Sequence, residues 1–300
     1  MPCVLNSSSE SLGREMSKIV TSSPRRRADA VSKLIASGSA KFWRADSIRV
    51  WLLRGALILG ILVVWTFVSA SMGGAQAGLP GPVDEIRAFR TTFSEEAAWL
   101  AIGQTLRAWA IAFSVAAIVG LLVGAVLGTS KTVDTATRPT VDFIRTIPPI
   151  ATLPLGALVM GVNLRFEVLF IVIGSVWPIL IQTMYGVGNA ERGLVDMSRL
   201  LRMSPSSRMR FVLIPGAVPF IATGVRLSAV MSFLLAISIE LLSGVAGVGS
   251  AIQRAQFAGQ YAEMYLYVVV ATLLGAFIGT FFASIERRVK AWRAPNSARA

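Results

Sequence analysis

The chain has 300 residues, of which 54% are hydrophobic and 15% charged, with a formal net charge of +13. Its mean hydropathy is +0.65, and soluble domains carry about 25% charged residues, so a soluble globule is excluded and a multi-span, all-α membrane protein is expected. The single cysteine, Cys3, excludes an internal disulfide framework and a multi-cysteine metal cluster, and the absence of histidine removes the commonest general base and metal ligand.

Residues 1–48 are polar, Ser-rich and basic (Arg25, Arg26, Arg27, Lys33, Lys41, Arg44) and read as a cytoplasmic tail, mostly disordered. A signal peptide cleaved after Ala75-Gln76-Ala77 competes with this, but its n-region would be about twice the usual length, which favours a retained anchor. The first apolar run spans roughly Trp51 to Met72. A Gly/Pro-rich connection and an acidic amphipathic segment with Glu85, Glu95 and Glu96 follow. A second span is expected from near Thr105 to Leu127, where Gly120, Gly124 and Gly128 recur every four residues as a ridge for close helix packing.

Residues 145–161, RTIPPIATLPLGALVMG, hold Pro148, Pro149 and Pro154, each of which removes a backbone donor. They predict either a broken helix beside a transport path or a kinked packing helix. The fourth span is expected over about Val168–Gly186, kinked at Trp177-Pro178. The next stretch, Glu191–Pro215, is the longest polar interruption and carries five arginines against two acids. Leu194, Val195, Met197, Leu200 and Leu201 recur at helical spacing, and Ser204-Pro205 reads as an N-cap followed by the first residue of a second short helix ending at Ile214-Pro215. A docking element and a solvated basic loop both fit this pattern. The fifth span is expected to start near Pro219, because a helix from Phe211 to Leu242 exceeds the membrane thickness. A Gly-rich loop, Ser243–Ser250, leads to a short amphipathic piece and a sixth span over about Met264–Ile285.

With the N-terminus inside, the inside segments hold nine, three, five and five Lys/Arg, against four outside (Arg87, Arg90, Arg165, Arg254). This asymmetry obeys the positive-inside rule. The charge therefore orients the protein, with anionic lipid as its counterpart and no nucleic acid required. No GxxxxGK[ST] loop occurs, nor metal-ligand spacing, a Ser/Lys pair or paired intramembrane acids. In the fifth span Arg226 and Glu240 stand about 21 Å apart on one helical stripe, where they either face a pathway or gate, or snorkel to the interfaces.

Over residues 100–290 the chain resembles the permease subunit of bacterial ABC importers of the nitrate/sulfonate/taurine type. The resemblance rests on Thr105-Leu106-Arg107, Ile147-Pro148-Pro149 with Leu153-Pro154-Leu155, Thr223-Gly224-Val225-Arg226-Leu227, and Glu240 before Gly244–Gly249, in that order. The family's cytoplasmic loop reads Glu-Ala-Ala, three residues, Gly, then about a dozen residues to Leu-Pro. Here Asp196-Met197-Ser198 stand at the Glu-Ala-Ala, Arg202 at the Gly and Ile214-Pro215 at the Leu-Pro, a degenerate copy.

The resemblance implies six transmembrane helices in a type I ABC importer permease-like fold and a place in the bacterial inner membrane. It also implies a homodimer or a dimer with a sister permease, two cytoplasmic ATPase subunits, an external solute-binding protein, and a small anion as solute. Residues 49–100 then form the first span and external connection, 101–290 the permease core with a coupling loop at 188–215, and 291–300 a cytoplasmic tail. The coupling loop would comprise Asp196, Met197, Ser198, Arg199, Leu201, Arg202, Ser204, Pro205 and Pro215. The pathway or gate would involve Pro148, Pro149, Pro154, Arg226 and Glu240. No cofactor, metal or catalytic residue is expected, since ATP would be hydrolysed on a partner. A secondary carrier would instead show an inverted repeat, which is not evident; a membrane scaffold is the remaining alternative.

Overall fold

A segment crossing hydrocarbon must satisfy its own backbone hydrogen bonds, so apolar runs of this length fold as helices. The computed structural model describes residues 53–293 except 54, 58, 75–77, 190 and 191. No strand occurs among the described residues. The expected tail of residues 1–48, the Ala75-Gln76-Ala77 site and residues 294–300 lie outside them. Among the described residues five helices are long and apolar enough to cross a membrane, or six when one bent pair is counted as a span.

The chain divides into two units, Met1–Val68 and Ser69–Ala300. The described part of the first belongs to helix α1 (Gly55–Met72), where Thr66 Oγ1 donates to the Leu62 carbonyl at 2.8 Å. The first helix wholly within the second unit is α2 (Pro82–Thr92), whose start is fixed by the Gly81 N–H donating to Asp84 Oδ2 at 3.0 Å.

Helix α3 (Glu96–Gly128) starts nine residues before the expected Thr105. Its buried face is built almost wholly of small residues: Ala98, Ala101, Thr105, Ala108, Ala112, Ala116, Gly120, Gly124 and Gly128. The expected three-glycine ridge is thus the last third of a longer one. Helix α6 (Leu164–Gly188) lies parallel in this groove. A Cβ at Gly124 would stand 2.5 Å from the Leu180 carbonyl oxygen, and one at Gly128 2.6 Å from that of Met184. Only glycine lets the two backbones approach so closely.

Between these helices the chain returns through α4 (Lys131–Ile144), a 3-10 turn (Pro149–Thr152) and α5 (Leu153–Met160), bent by 60° at the break. Pro149 begins the turn and Pro154 lies in the first turn of α5, where a missing N–H costs no intrahelical bond. The chain here is therefore broken rather than merely kinked.

After α6 come two short helices, α7 (Arg192–Leu200) and α8 (Pro205–Arg208), then a π-helical turn (Met209–Leu213) running into α9 (Ile214–Ser243). Here the structure corrects the sequence reading, since the chain neither breaks at Pro215 nor restarts at Pro219. Pro215 has no N–H to give, and the wider turn before it, closed by Ile214 N–H to the Met209 carbonyl, carries the helix through. Bilayer thickness limits the apolar length of a helix rather than the helix itself, and Arg208 and Arg210 mark the polar extension. Helix α10 (Val248–Phe257) and α11 (Tyr261–Arg293) complete the unit, with α2 packed on α11.

Helix α9 runs antiparallel to α6, with Gly224 against the Pro178 carbonyl and Gly186 against Ala217. Phe166, Phe170 and Ile171 of α6 and Ala236 and Ile239 of α9 form the largest part of the core. The starts of α3 and α6, the end of α9 and all of α10 consequently meet at one end of the bundle. Residues 192–213 occupy the other.

Candidate functional site

At the α9–α10 end the chain reverses through Gly244, whose φ of 74° requires the left-handed region that glycine tolerates. The reversal aims the N-terminus of α10 at the Glu240 carboxylate. Gly249 N–H donates to Glu240 Oε2 at 2.8 Å, Val248 N–H to Thr105 Oγ1 at 2.9 Å, and Thr105 Oγ1 lies 3.0 Å from the same Oε2 as its donor. A carboxylate here meets both the unpaired amides and the positive end of the helix dipole. A Cβ at Gly247 would collide with the Glu240 carboxyl, and one at Gly249 would stand 2.7 Å from Glu240 Cβ. The Gly-rich loop is therefore shaped by the carboxylate beneath it.

Glu240 is 0% exposed, which rules out snorkelling, and it lines neither of the two cavities described below. The Glu167 carboxyl, 1% exposed, lies within hydrogen-bonding reach of it. Neither Glu167 Oε1 nor Glu240 Oε1 finds a donor among the described residues. This is a pair of intramembrane acids, which the sequence reading denied. Glu167 sits one residue before the expected start of the fourth span, and its partner is 73 positions away in the sequence.

Arg226 also has a role that spacing along one helix does not reveal. Its Nη1 donates to Glu286 Oε2 of α11 at 2.9 Å, while Glu286 Oε1 accepts from Thr223 Oγ1 at 2.8 Å and Lys290 Nζ at 2.6 Å. Glu286 is buried and ties α9 to α11. The sequence signal was an acid one residue past the expected sixth span with a lysine four residues on.

A groove of about 640 Å³ opens between the broken third span, α6 and α9. Pro148 and Pro149 line it, as do Trp177, Pro178, Arg145 and Gln182, whereas Pro154 and Arg226 do not. Of the residues expected at a pathway, the groove thus gathers Pro148 and Pro149, and Trp177 and Pro178 of α6 join them. It adds Arg145 and Gln182, polar groups that only the bend of the third span brings to an otherwise apolar wall.

At the opposite end, α7 closes in a left-handed turn at Arg202, φ 51°, the sole non-glycine with positive φ among the described residues. Met203 N–H bonds the Ser198 carbonyl at 3.0 Å and Arg202 N–H that of Arg199 at 2.9 Å, the paired bonds of a Schellman cap. Ser204 then caps α8, accepting from Ser207 N–H at 3.2 Å, with Pro205 as first residue. Leu194, Met197, Leu200 and Leu201 are exposed, Leu201 by 69%. Asp196 and Arg199 pair at 3.2 Å on the surface, where such a contact contributes little. Ser198 is buried, its hydroxyl donating to the Val195 carbonyl at 2.6 Å. Pro215 lies beyond this turn-and-helix unit, in the first turn of α9.

Residues 116–292 match the family described as binding-protein-dependent transport system inner membrane component. The bicarbonate transport system permease protein CmpB of Synechococcus elongatus is 32% identical over 79% of this chain and 88% of its own length. The nitrate import permease protein NrtB of Synechocystis sp. is 29% identical over 79% and 89%. The putative aliphatic sulfonates transport permease protein SsuC of Bacillus subtilis is 26% identical over 87% and 98%. Among solved structures, the inward-facing MetNI methionine ABC transporter shares the fold, with a TM-score of 0.57 and 20% identity, covering 65% of this chain and 98% of that one.

Proposed function

The chain belongs to the family of binding-protein-dependent transport system inner membrane components, and from that premise we propose that it lines the pathway of an ATP-driven importer of small anions and couples it, through residues 191–215, to a cytoplasmic ATPase. It is a multi-pass permease subunit of an ABC importer. The hydrolytic step belongs to the partner, and the solute arrives from an external binding protein. The N- and C-termini lie inside, as the charge asymmetry requires. In this reading the protein works as a dimer, as the resemblance to permeases of this type implies. Bicarbonate, nitrate and aliphatic sulfonates, in the names of the relatives, share a compact oxyanion. Arg145 and Gln182 on the groove wall suit such a solute.

The observation that carries the coupling role is the unit at residues 192–208. A left-handed turn at the family's glycine position joins two short helices, and Leu194 and Met197 of the first, with Leu201 just past its end, are exposed among the described residues. An apolar stripe of this kind fits a hydrophobic groove. Leu201→Asp puts an unpaired charge in that contact. Expected are normal membrane insertion and joint loss of ATPase association and transport-linked hydrolysis. Full association of the variant with the ATPase would exclude docking through this face.

A further inference from the structure

The two carboxyls at the α9–α10 end of the bundle have no cation beside them. Glu167 and Glu240 enter no ion pair among the described residues. The arginines on the helices gathered there, Arg107 of α3, Arg165 of α6 and Arg254 of α10, are all exposed. Arg254 Nη1 donates to Ser250 Oγ at 3.1 Å. Arg107 shares a cavity wall with Glu167 but stands beyond ion-pair distance of it.

Burial leaves each carboxyl one hydrogen-bond partner short. Glu240 Oε2 accepts from Thr105 Oγ1 and Gly249 N–H, a setting that favours an ionised oxygen at a helix N-terminus. Oε1 of Glu240 and Oε1 of Glu167 are both buried, and neither has a donor. An ionised carboxylate is an acceptor only, so two of them side by side leave these oxygens unmatched and desolvate two like charges together. One proton removes both faults, because it makes one carboxyl a donor to the other. Thr105 and Gly249 stabilise the charge on Glu240, and Glu167 Oε1 has no such donor, so the proton belongs on Glu167.

We propose that Glu167 and Glu240 bind a single proton between them, with Glu167 as the neutral donor and Glu240 as the carboxylate that caps α10. Glu167 is thereby a positioning residue. Its O–H fixes the orientation of the Glu240 carboxylate, which in turn holds the first turn of α10 through the Gly249 N–H. The shared proton also leaves one negative charge rather than two among the spans, where an ionised side chain is costly.

The full-length chain in nanodiscs at neutral pH provides two readouts. Infrared spectroscopy reports the carbonyl stretch of a protonated carboxyl, and hydrogen exchange of residues 244–257 reports the hold on α10. The difference between wild type and Glu167→Gln is expected to contain an acid carbonyl band. Glu167→Gln keeps a neutral donor and should leave exchange within about twofold of wild type. Glu167→Leu has no donor and should speed exchange at least about tenfold, the scale of a hydrogen bond to a charged group. Were Glu167 ionised and paired with Arg107, Glu167→Gln would remove no band and would speed exchange as much as Glu167→Leu. Either of those results, or wild-type exchange in Glu167→Leu, would overturn the proposal. If Glu167→Leu does not fold, the band and the exchange of Glu167→Gln decide. Neither readout involves a solute or the ATPase, so the coupling reading, tested at Leu201, stands or falls separately.

Discussion

Thr105 and Glu240, 135 positions apart in sequence, meet in a 3.0 Å hydrogen bond and together receive the first amides of α10. Thr105 takes the Val248 N–H and Glu240 that of Gly249, so a hydroxyl from α3 and a carboxylate from α9 hold one helix N-terminus.

Removing either group should loosen α10. Thr105→Val leaves the Val248 N–H buried and unpaired, at a cost of about 1–3 kcal/mol. Glu240→Gln retains an acceptor for Gly249 but loses the charge at the helix end, an interaction that contributes up to about 2 kcal/mol. Both variants should lower the melting temperature in detergent and speed proteolysis near residues 244–260. Unchanged melting of Thr105→Val would mean that the bond to Val248 contributes nothing.

Arg202 carries the backbone strain of its left-handed turn, of order 1 kcal/mol for a residue with a Cβ. Arg202→Gly should relieve it and hold or improve ATPase coupling, read as solute-stimulated hydrolysis in proteoliposomes. Loss of stimulation in this variant would instead make the guanidinium a contact to the partner.

The proposed topology, with both termini inside, has a check by labelling. Ser94 and Ser206 are both exposed. In a Cys3→Ser background, a cysteine at Ser94 should react with an impermeant thiol reagent in intact cells. One at Ser206 should react only after the membrane is opened. The reverse pattern would invert the topology and remove the coupling assignment with it.

Glu85 on α2 lies outside the spans, and burial, assisted by neighbouring Asp84, raises its pKa to about 7. Its two oxygens are buried without a donor among the described residues. A carboxyl raised in the folded state binds more protons than in the unfolded one, so stability falls as pH rises from about 4.5 to 7 and levels off above. Glu85→Gln should therefore melt higher than wild type at pH 8, by the equivalent of about 1 kcal/mol after solvent screening, with the advantage gone at pH 4.5. A constant difference at both pH values would assign the effect to packing.

Local rules were enough for much of this protein. Apolar run length along the chain gave the spans, because the bilayer reads each segment separately. Ser204-Pro205 announced the start of α8, because a helix cap is settled within a few residues. The same rules misplaced the start of α9, since a proline breaks a helix only when no neighbouring turn absorbs its missing N–H, and the π turn at Met209–Leu213 does so. What the tertiary structure alone decided are the contacts between helices. Glu167 and Glu240 become a buried pair, Arg226 finds Glu286, and Thr105 reaches Val248, each through side chains on different helices. Their chemistry depends on desolvation and on a partner tens of positions away, and neither is encoded in the spacing along any one helix.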